Sequence, residues 1–318
     1  MAMSMDKSKS FPNIVSEANR DASFIIKLAN GQGWHIVAIG RVSSWVEKLA
    51  SIMQLKTCEP NGYPKLIFIK RESVKGGLGE LTCMVKEKIM KDIPINDWKA
   101  HSLGDLRLWS HHDVPDVICE IGPGEDHELE IIRMWESLHP IYQRVQSTGG
   151  LPIHAALIER NGIGVLFAGP GNTGKSTCCR QLPPSWHALC DDEALIVRDD
   201  NRKYFGHPFP TWSDYLYQRS ERTWNVQQHV PLSAIFFLEQ GKIDEASPIG
   251  QGQAAIFINQ SATQVCQRSW RNLIQEEERA FRRELFENAG ELVKAVPSYI
   301  LRVSLNGRFW EKIEEVLK

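Results

Sequence analysis

The run Gly169-Pro170-Gly171-Asn172-Thr173-Gly174-Lys175-Ser176 constrains this chain more than any other segment, because it fits one local architecture. Its spacing, G-x-x-x-x-G-K-[ST] (Walker A), is that of a phosphate-binding loop whose glycines let backbone N–H groups turn inward around phosphates. The lysine of such a loop neutralises the β- and γ-phosphates, and its serine offers a hydroxyl to Mg²⁺. The loop must join a strand to a helix. Residues 164–168 (Gly-Val-Leu-Phe-Ala) read as a buried strand entering it, and 176–182 read as the helix leaving it. A helix N-terminus aimed at phosphates adds a favourable dipole and free donors. The expected nucleotide-binding residues are therefore Gly169, Pro170, Gly171, Asn172, Thr173, Gly174, Lys175, Ser176 and Thr177, with a nucleoside triphosphate and Mg²⁺ as the ligands.

A chain of 318 residues has room for about two domains and for a core that folds without staples. A formal net charge of −2 gives no global attraction to nucleic acid or to a membrane surface. Apolar runs stay well short of the ~20 residues a spanning helix requires. The polar N-terminus lacks the apolar stretch of a secretory signal. Seven cysteines stand at 58, 83, 119, 178, 179, 190 and 266 with no C-x-x-C pair, which argues against a structural zinc site. Reduced thiols in a cytoplasmic protein are the expectation.

Residues 1–22 read as a disordered polar tail. Strands are expected over 23–28 and 34–39 around the turn Asn30-Gly31, then a helix over 43–55 and a strand over 66–69. The cluster Lys75-Gly76-Gly77-Leu78-Gly79 lacks a lysine-serine pair and reads as a loop. Residues 23–122 thus form a small α/β module, closed by the turn signal Ile121-Gly122-Pro123-Gly124, and 123–318 form a second domain. There, 126–146 has helical periodicity that Pro140 interrupts. Strands are expected over 153–159, 186–190, 194–197, 230–238, 254–258 and 298–304. A long helical stretch covers 264–292, with room for one break, and an amphipathic helix covers 309–317. The class is α/β or α+β around a largely buried sheet.

Two further features gather around the loop. Asp191-Asp192 follows the apolar Ala188-Leu189-Cys190, the place where a second Mg²⁺ ligand or a water-holding carboxylate is expected after a P-loop helix. Adjacent carboxylates on a strand face opposite ways, so one of the two would face the metal. His154 lies fifteen residues before Gly169. If the strands joined by Asn161-Gly162 pair as a hairpin, residue 154 falls at the loop end of its neighbour. Phosphate contact or proton carrier is one reading of it, and a hydrogen-bonded core histidine is the other.

The runs 151–156 (Leu-Pro-Ile-His-Ala-Ala), 162–176 and 188–193 (Ala-Leu-Cys-Asp-Asp-Glu) resemble the catalytic domain of HPr kinase/phosphorylase. That family's core is a P-loop kinase fold related to ATP-type phosphoenolpyruvate carboxykinase, and it moves the γ-phosphoryl group of ATP to a serine of a small protein. The resemblance implies catalytic roles for His154, Lys175, Asp191 and Asp192, with Ser176 and Asp191 on the metal. Asp192 aligns with the base, but a one-residue spacing difference leaves the neighbours interchangeable at this point. The chain has Lys175-Ser176-Thr177 where the family commonly has Lys-Ser-Glu, and 205–215 replaces the signature that serves phosphorolysis. The resemblance therefore implies kinase rather than phosphorylase chemistry.

A closer resemblance is to the HPr-kinase-related proteins of peptide-modification gene clusters, the SynChlorMet cassette protein ScmC among them. These accompany radical SAM enzymes and small peptide-binding proteins. This resemblance implies a serine or threonine hydroxyl of a peptide or small protein as acceptor, those cluster proteins as partners, and a homo-oligomer like the hexameric kinases. Nothing points to nucleic acid or membrane as a partner. Residues 207–215, rich in proline and aromatics, read either as a rigid surface loop or as an acceptor-binding lip. Arg219 and Arg222 read as surface ion-pair residues or as transition-state cations. Two other functions fit the same core: an ATP-binding switch that sends the γ-phosphate to water, and a small-molecule (serine-type) kinase.

Overall fold

Short strands buried along nearly their whole length build the first half of the molecule. The computed structural model describes residues 22–57, 62–71, 97–124, 126–171, 173–270 and 273–318. Strand β1 (Ser23–Lys27) pairs antiparallel with β2 (Gly33–Ala38) across the expected Asn30-Gly31 turn. Helix α1 (Ser43–Ile52) follows, then β3 (Lys56–Thr57), β4 (Lys65–Lys70), β5 (Lys99–Leu103), β6 (Leu106–Ser110) and β7 (Val117–Ile121). These strands form one mixed sheet in the order β3-β1-β2-β4-β7-β6-β5, in which β2, β4 and β7 run parallel. Along β4, Leu66 and Phe68 enter the main core, while Ile67 and Ile69 join a smaller cluster with Ile39, Trp98 and Ile118. Ala22, placed in the expected polar tail, is itself buried; residues 1–21 and the Lys75–Gly79 cluster lie outside the described residues.

The periodic stretch 126–146 forms two helices, α2 (His127–Glu136) and α3 (His139–Gln146). The side chain of Asp126 caps α2 by accepting from Leu129 N at 3.0 Å, and Pro140 sits in the first turn of α3, where a missing N–H costs nothing. Among the described residues, nine strands make the second mixed sheet: β8 (Leu151–Ile153), β9 (Ala155–Arg160), β10 (Ile163–Ala168), β11 (His187–Cys190), β12 (Glu193–Arg198), β13 (Tyr204–Phe209), β14 (Val230–Gln240), β15 (Glu245–Pro248) and β16 (Ser298–Val303). The path runs β11-β9-β10-β14-β13-β12-β8, with β16 beside β14 and β15 on β16. Strands β10, β14 and β16 are parallel to one another. β9 and β10 are the expected hairpin; Asn161 and Gly162 both take positive φ, +52° and +77°, as a tight primed turn requires.

Residues 254–258 are not a strand. They lie inside helix α6 (Gln251–Cys266), where Ala254, Ile258, Ala262 and Val265 turn one apolar stripe inward. A five-residue apolar run reads equally as buried strand or buried helix, and here the longer 3.6-residue period wins. The long helical stretch over 264–292 breaks after Cys266 and resumes as α7 (Gln275–Ala295); α8 (Phe309–Val316) ends the chain. The segment 207–215 is not one loop either, but the end of β13 followed by the short helix α5 (Trp212–Leu216). His207 is fully buried. It donates from Nδ1 to Val226 O at 2.8 Å and accepts from Ala29 N at 3.0 Å, so it joins the two sheets rather than lining a lip. Trp224 N, donating to Ile52 O at 2.8 Å, makes a second tie, and the main hydrophobic core runs through both halves.

Candidate active site

Strand β10 delivers the chain to the loop at Ala168, and Gly174, at φ +101°, turns it into helix α4 (Lys175–Gln181). A side chain at that angle would be strained, which is why the motif needs glycine there. Lys175 is 5% exposed, and its Nζ donates to Gly169 O at 2.9 Å and Pro170 O at 3.0 Å. Thr173 Oγ1 donates to the same Pro170 carbonyl at 2.9 Å. Burial pulls the Lys175 ammonium down to about 8, against the opposing pull of the Asp192 and Asp191 carboxylates. Ser176 is half-buried behind it, Thr177 is exposed, and Asn172 lies outside the described residues.

His154 occupies the break between β8 and β9. Because Ala155 pairs with Ala168, the histidine stands where the neighbouring chain enters the loop. The aspartate pair occupies a two-residue bend between β11 and β12 rather than a strand, so strict alternation does not send the two carboxylates to opposite faces. Register explains their partners. β12 runs antiparallel to β8 with Ala194 opposite Ile153, which brings Asp192 to His154; Oδ1 and Nδ1 are 3.1 Å apart. β12 also pairs with β13, Glu193 opposite Phe209, and two residues further out Thr211 Oγ1 donates to Asp191 Oδ1 at 2.9 Å. Lysine, both aspartates and the histidine thus belong to one cluster. The two carboxylates differ: one is paired with an imidazole, the other with a hydroxyl.

Three side chains at this cluster carry no sequence motif. Thr211 is one. Asp214 on α5 is another: burial, then the Asp191 charge, raises its carboxyl above the usual range. Glu193, directly after the pair, is 4% exposed. It accepts from the Tyr142 hydroxyl and from Trp135 Nε1 at 3.2 Å, and burial pushes it up to about 8. Such a carboxyl is neutral at pH 7, which keeps a third charge away from the pair. Its signal in the sequence was available: an acidic residue opening the apolar run Ala194–Val197. Arg222 Nη2 donates to Ala188 O at 3.1 Å and Leu189 O at 3.2 Å, on the strand that leads to Asp191, whereas Arg219 stacks over Tyr217.

The family model of the SynChlorMet cassette protein ScmC matches residues 117–318, well over half of the chain. The chain belongs to that family. Every residue of the cluster falls inside the matched span, and β1 to β6 precede it. Among curated proteins, the HPr kinase/phosphorylase of Mycoplasmopsis pulmonis (strain UAB CTIP) is 35% identical over 54 residues. The similarity covers 17% of this chain and 18% of that protein, so the chain matches less than a fifth of its relative's length. It hints at kinase-like chemistry. Among the described residues, no helix is long and apolar enough to cross a membrane.

Proposed function

We propose that this protein is an ATP-dependent kinase of P-loop type that transfers the γ-phosphoryl group to a serine or threonine hydroxyl of a peptide or small protein. The observation that carries this reading is the His154–Asp192 pair held beside the buried Lys175 of the loop. A switch ATPase needs the loop and a metal ligand; an imidazole-supported carboxylate at the same point is what a reaction that deprotonates a hydroxyl needs. The partial similarity to an HPr kinase/phosphorylase favours the same chemistry.

In this mechanism the loop backbone and Lys175 bind the β- and γ-phosphates, Lys175 leaving its two carbonyl partners to do so. The donor set fits a hard divalent cation: Ser176 and Asp191 would hold Mg²⁺, which when bound neutralises charge on the phosphate oxygens. Asp192 takes the proton of the acceptor hydroxyl, and His154 Nδ1–H keeps that carboxylate oriented. The hydroxyl oxygen bonds to the γ-phosphorus as the bond to the β–γ bridging oxygen breaks, and ADP leaves. A loose transition state asks mostly for positioning and charge neutralisation, which this cluster offers. On this reading Asp192, partnered by the imidazole, is the base, and Asp191, partnered by the Thr211 hydroxyl, is the metal ligand. Radical SAM and peptide-binding cluster proteins would be the partners, and a peptide the acceptor.

The test is incubation with γ-labelled ATP, magnesium and candidate peptides, read by mass spectrometry. A phosphoserine or phosphothreonine on a peptide is the expected product. Label found only as free phosphate would replace this reading by the switch ATPase, and label on free serine would replace it by a small-molecule kinase.

A further inference from the structure

Strands β10, β14 and β16 run parallel, and their carboxyl ends open on a cleft of about 840 Å³. Crevices at the carboxyl ends of parallel strands are where open α/β sheets bind ligands. One edge of this cleft is the phosphate loop itself, through Gly169, Pro170 and Thr173. Its floor is the end of β14, residues 237–240, with Ile300 of β16; its far wall is helix α6, from Phe257 to Gln264. Phe237 and Phe257 meet edge to face, with centroids 5.1 Å apart. Beside them stand the amides of Asn259, Gln260 and Gln264. Asn259 Oδ1 is buried and meets no hydrogen-bond partner among the described residues, a costly state for a polar atom.

We infer that this cleft holds the nucleoside half of the triphosphate, with the base on the Phe237–Phe257 pair and its polar edge on the amides of α6. The inference rests on the loop being a nucleoside triphosphate site. A triphosphate fixed by Lys175 has two ends. The γ end belongs with His154, Asp191 and Asp192, none of which is among the cleft's described lining. The nucleoside end must leave the loop on another side, and this cleft shares the loop's rim. Its chemistry is that of a base rather than of phosphate: aromatic faces and neutral amides, with the formal charges of Glu239 and Arg282 as the exceptions. An acceptor peptide would instead have to reach the aspartates.

Calorimetry with MgATP and with magnesium tripolyphosphate, which has neither base nor ribose, tests this. Stacking of a base on an aromatic side chain is worth about 1–3 kcal/mol, roughly 5- to 150-fold in affinity. Wild type should bind tripolyphosphate about tenfold or more weakly than ATP. Phe257→Ala should lose about as much for ATP while holding tripolyphosphate as wild type does, which also shows that the variant is folded. Gln264→Trp, on an exposed rim position, should obstruct the cleft with the same signature and no core change. Equal wild-type affinity for the two ligands, or full ATP affinity in both variants, would place the nucleoside elsewhere and leave the loop reading intact. If wild type binds neither ligand, the nucleotide-site reading falls and this inference falls with it.

Discussion

The two sheets of this protein are both mixed and both bury their central strands on two faces, yet the charged residues gathered at the phosphate-loop end of the second are used differently from those of the first. In the seven-stranded sheet, Glu120 accepts from Trp109 Nε1 at 2.9 Å and pairs with Arg71 at 2.9 Å and Arg107 at 3.6 Å. Nearby, Arg133 is 3% exposed and is shared between Asp105, at 3.0 Å, and the carbonyls of Pro123 and Gly124. Charge meets opposite charge there, and the result is structure. The nine-stranded sheet gathers a lysine resting on backbone carbonyls and carboxylates answered by a hydroxyl and an imidazole. Opposite charges are close there but engaged with weaker partners, so a ligand can take them over. Sheet architecture alone does not create a site. Strand ends with loosely committed charge do.

The largest effect that would sharpen this contrast is at Lys175. Lys175→Ala should lower phosphoryl transfer by about a hundred- to a thousandfold, the usual loss when one preorganised charge stabiliser is removed. A loss under tenfold in a γ-label assay would break the comparison. The same lysine sets a pH dependence. Its ammonium, held at about 8 by burial, is charged below that pH and neutral above it. Nucleotide affinity measured by calorimetry should therefore decline as pH rises through about 8, and a flat profile to pH 10 would contradict the role. Next comes the base. Asp192→Asn should cost about a hundred- to ten-thousandfold in transfer with ATP affinity close to wild type. Asp191→Asn should instead raise the magnesium concentration needed for half-maximal rate. If the two variants exchanged these signatures, the assignment would be reversed.

How much of this was legible depended on sequence distance. The loop could be read because its motif is local, and His154 because an Asn-Gly turn fixes the register of the hairpin it opens. Thr211 and Asp191 stand twenty residues apart and meet only because Glu193 faces Phe209 in a hairpin of unsignalled register. The parallel pairing of β2, β4 and β7 has no local signature at all, whereas the β5–β6 hairpin carries one, the two-residue turn Gly104-Asp105. Helix α6 was misread from a run too short to show its period, and with it went the far wall of the cleft.

A smaller effect links the two sheets. His207 is neutral in the fold, donating to Val226 O and accepting from Ala29 N. A proton on Nε2 would set donor against donor, and burial lowers the ring to about 4; the buried His139 is lowered further, to about 3. Above about 6.5 both rings are neutral whether the chain is folded or not. As pH falls below that value the unfolded chain takes up protons that the folded one refuses. Stability should therefore fall between pH 6.5 and 4, by on the order of 3 kcal/mol from His207 alone. His207→Gln, which keeps a donor and an acceptor, should make the decline of Tm with falling pH shallower. An unchanged slope would remove His207 from the account.

The smallest effect is the control on the other side of the comparison. Glu120→Gln keeps an acceptor for Trp109 Nε1 but removes the charge that faces Arg71 and Arg107. Both arginines are partly exposed, so water can take over much of their solvation, and the expected loss is about 1 kcal/mol of stability. Denaturant midpoints would read it. Transfer rate and nucleotide affinity should stay at wild-type values, because Glu120 lies in the other sheet from the loop and its partners are all its own neighbours. A variant that folds normally but loses transfer would mean that the first sheet shapes the site after all, and the division between structural and loosely committed charge would have to be redrawn.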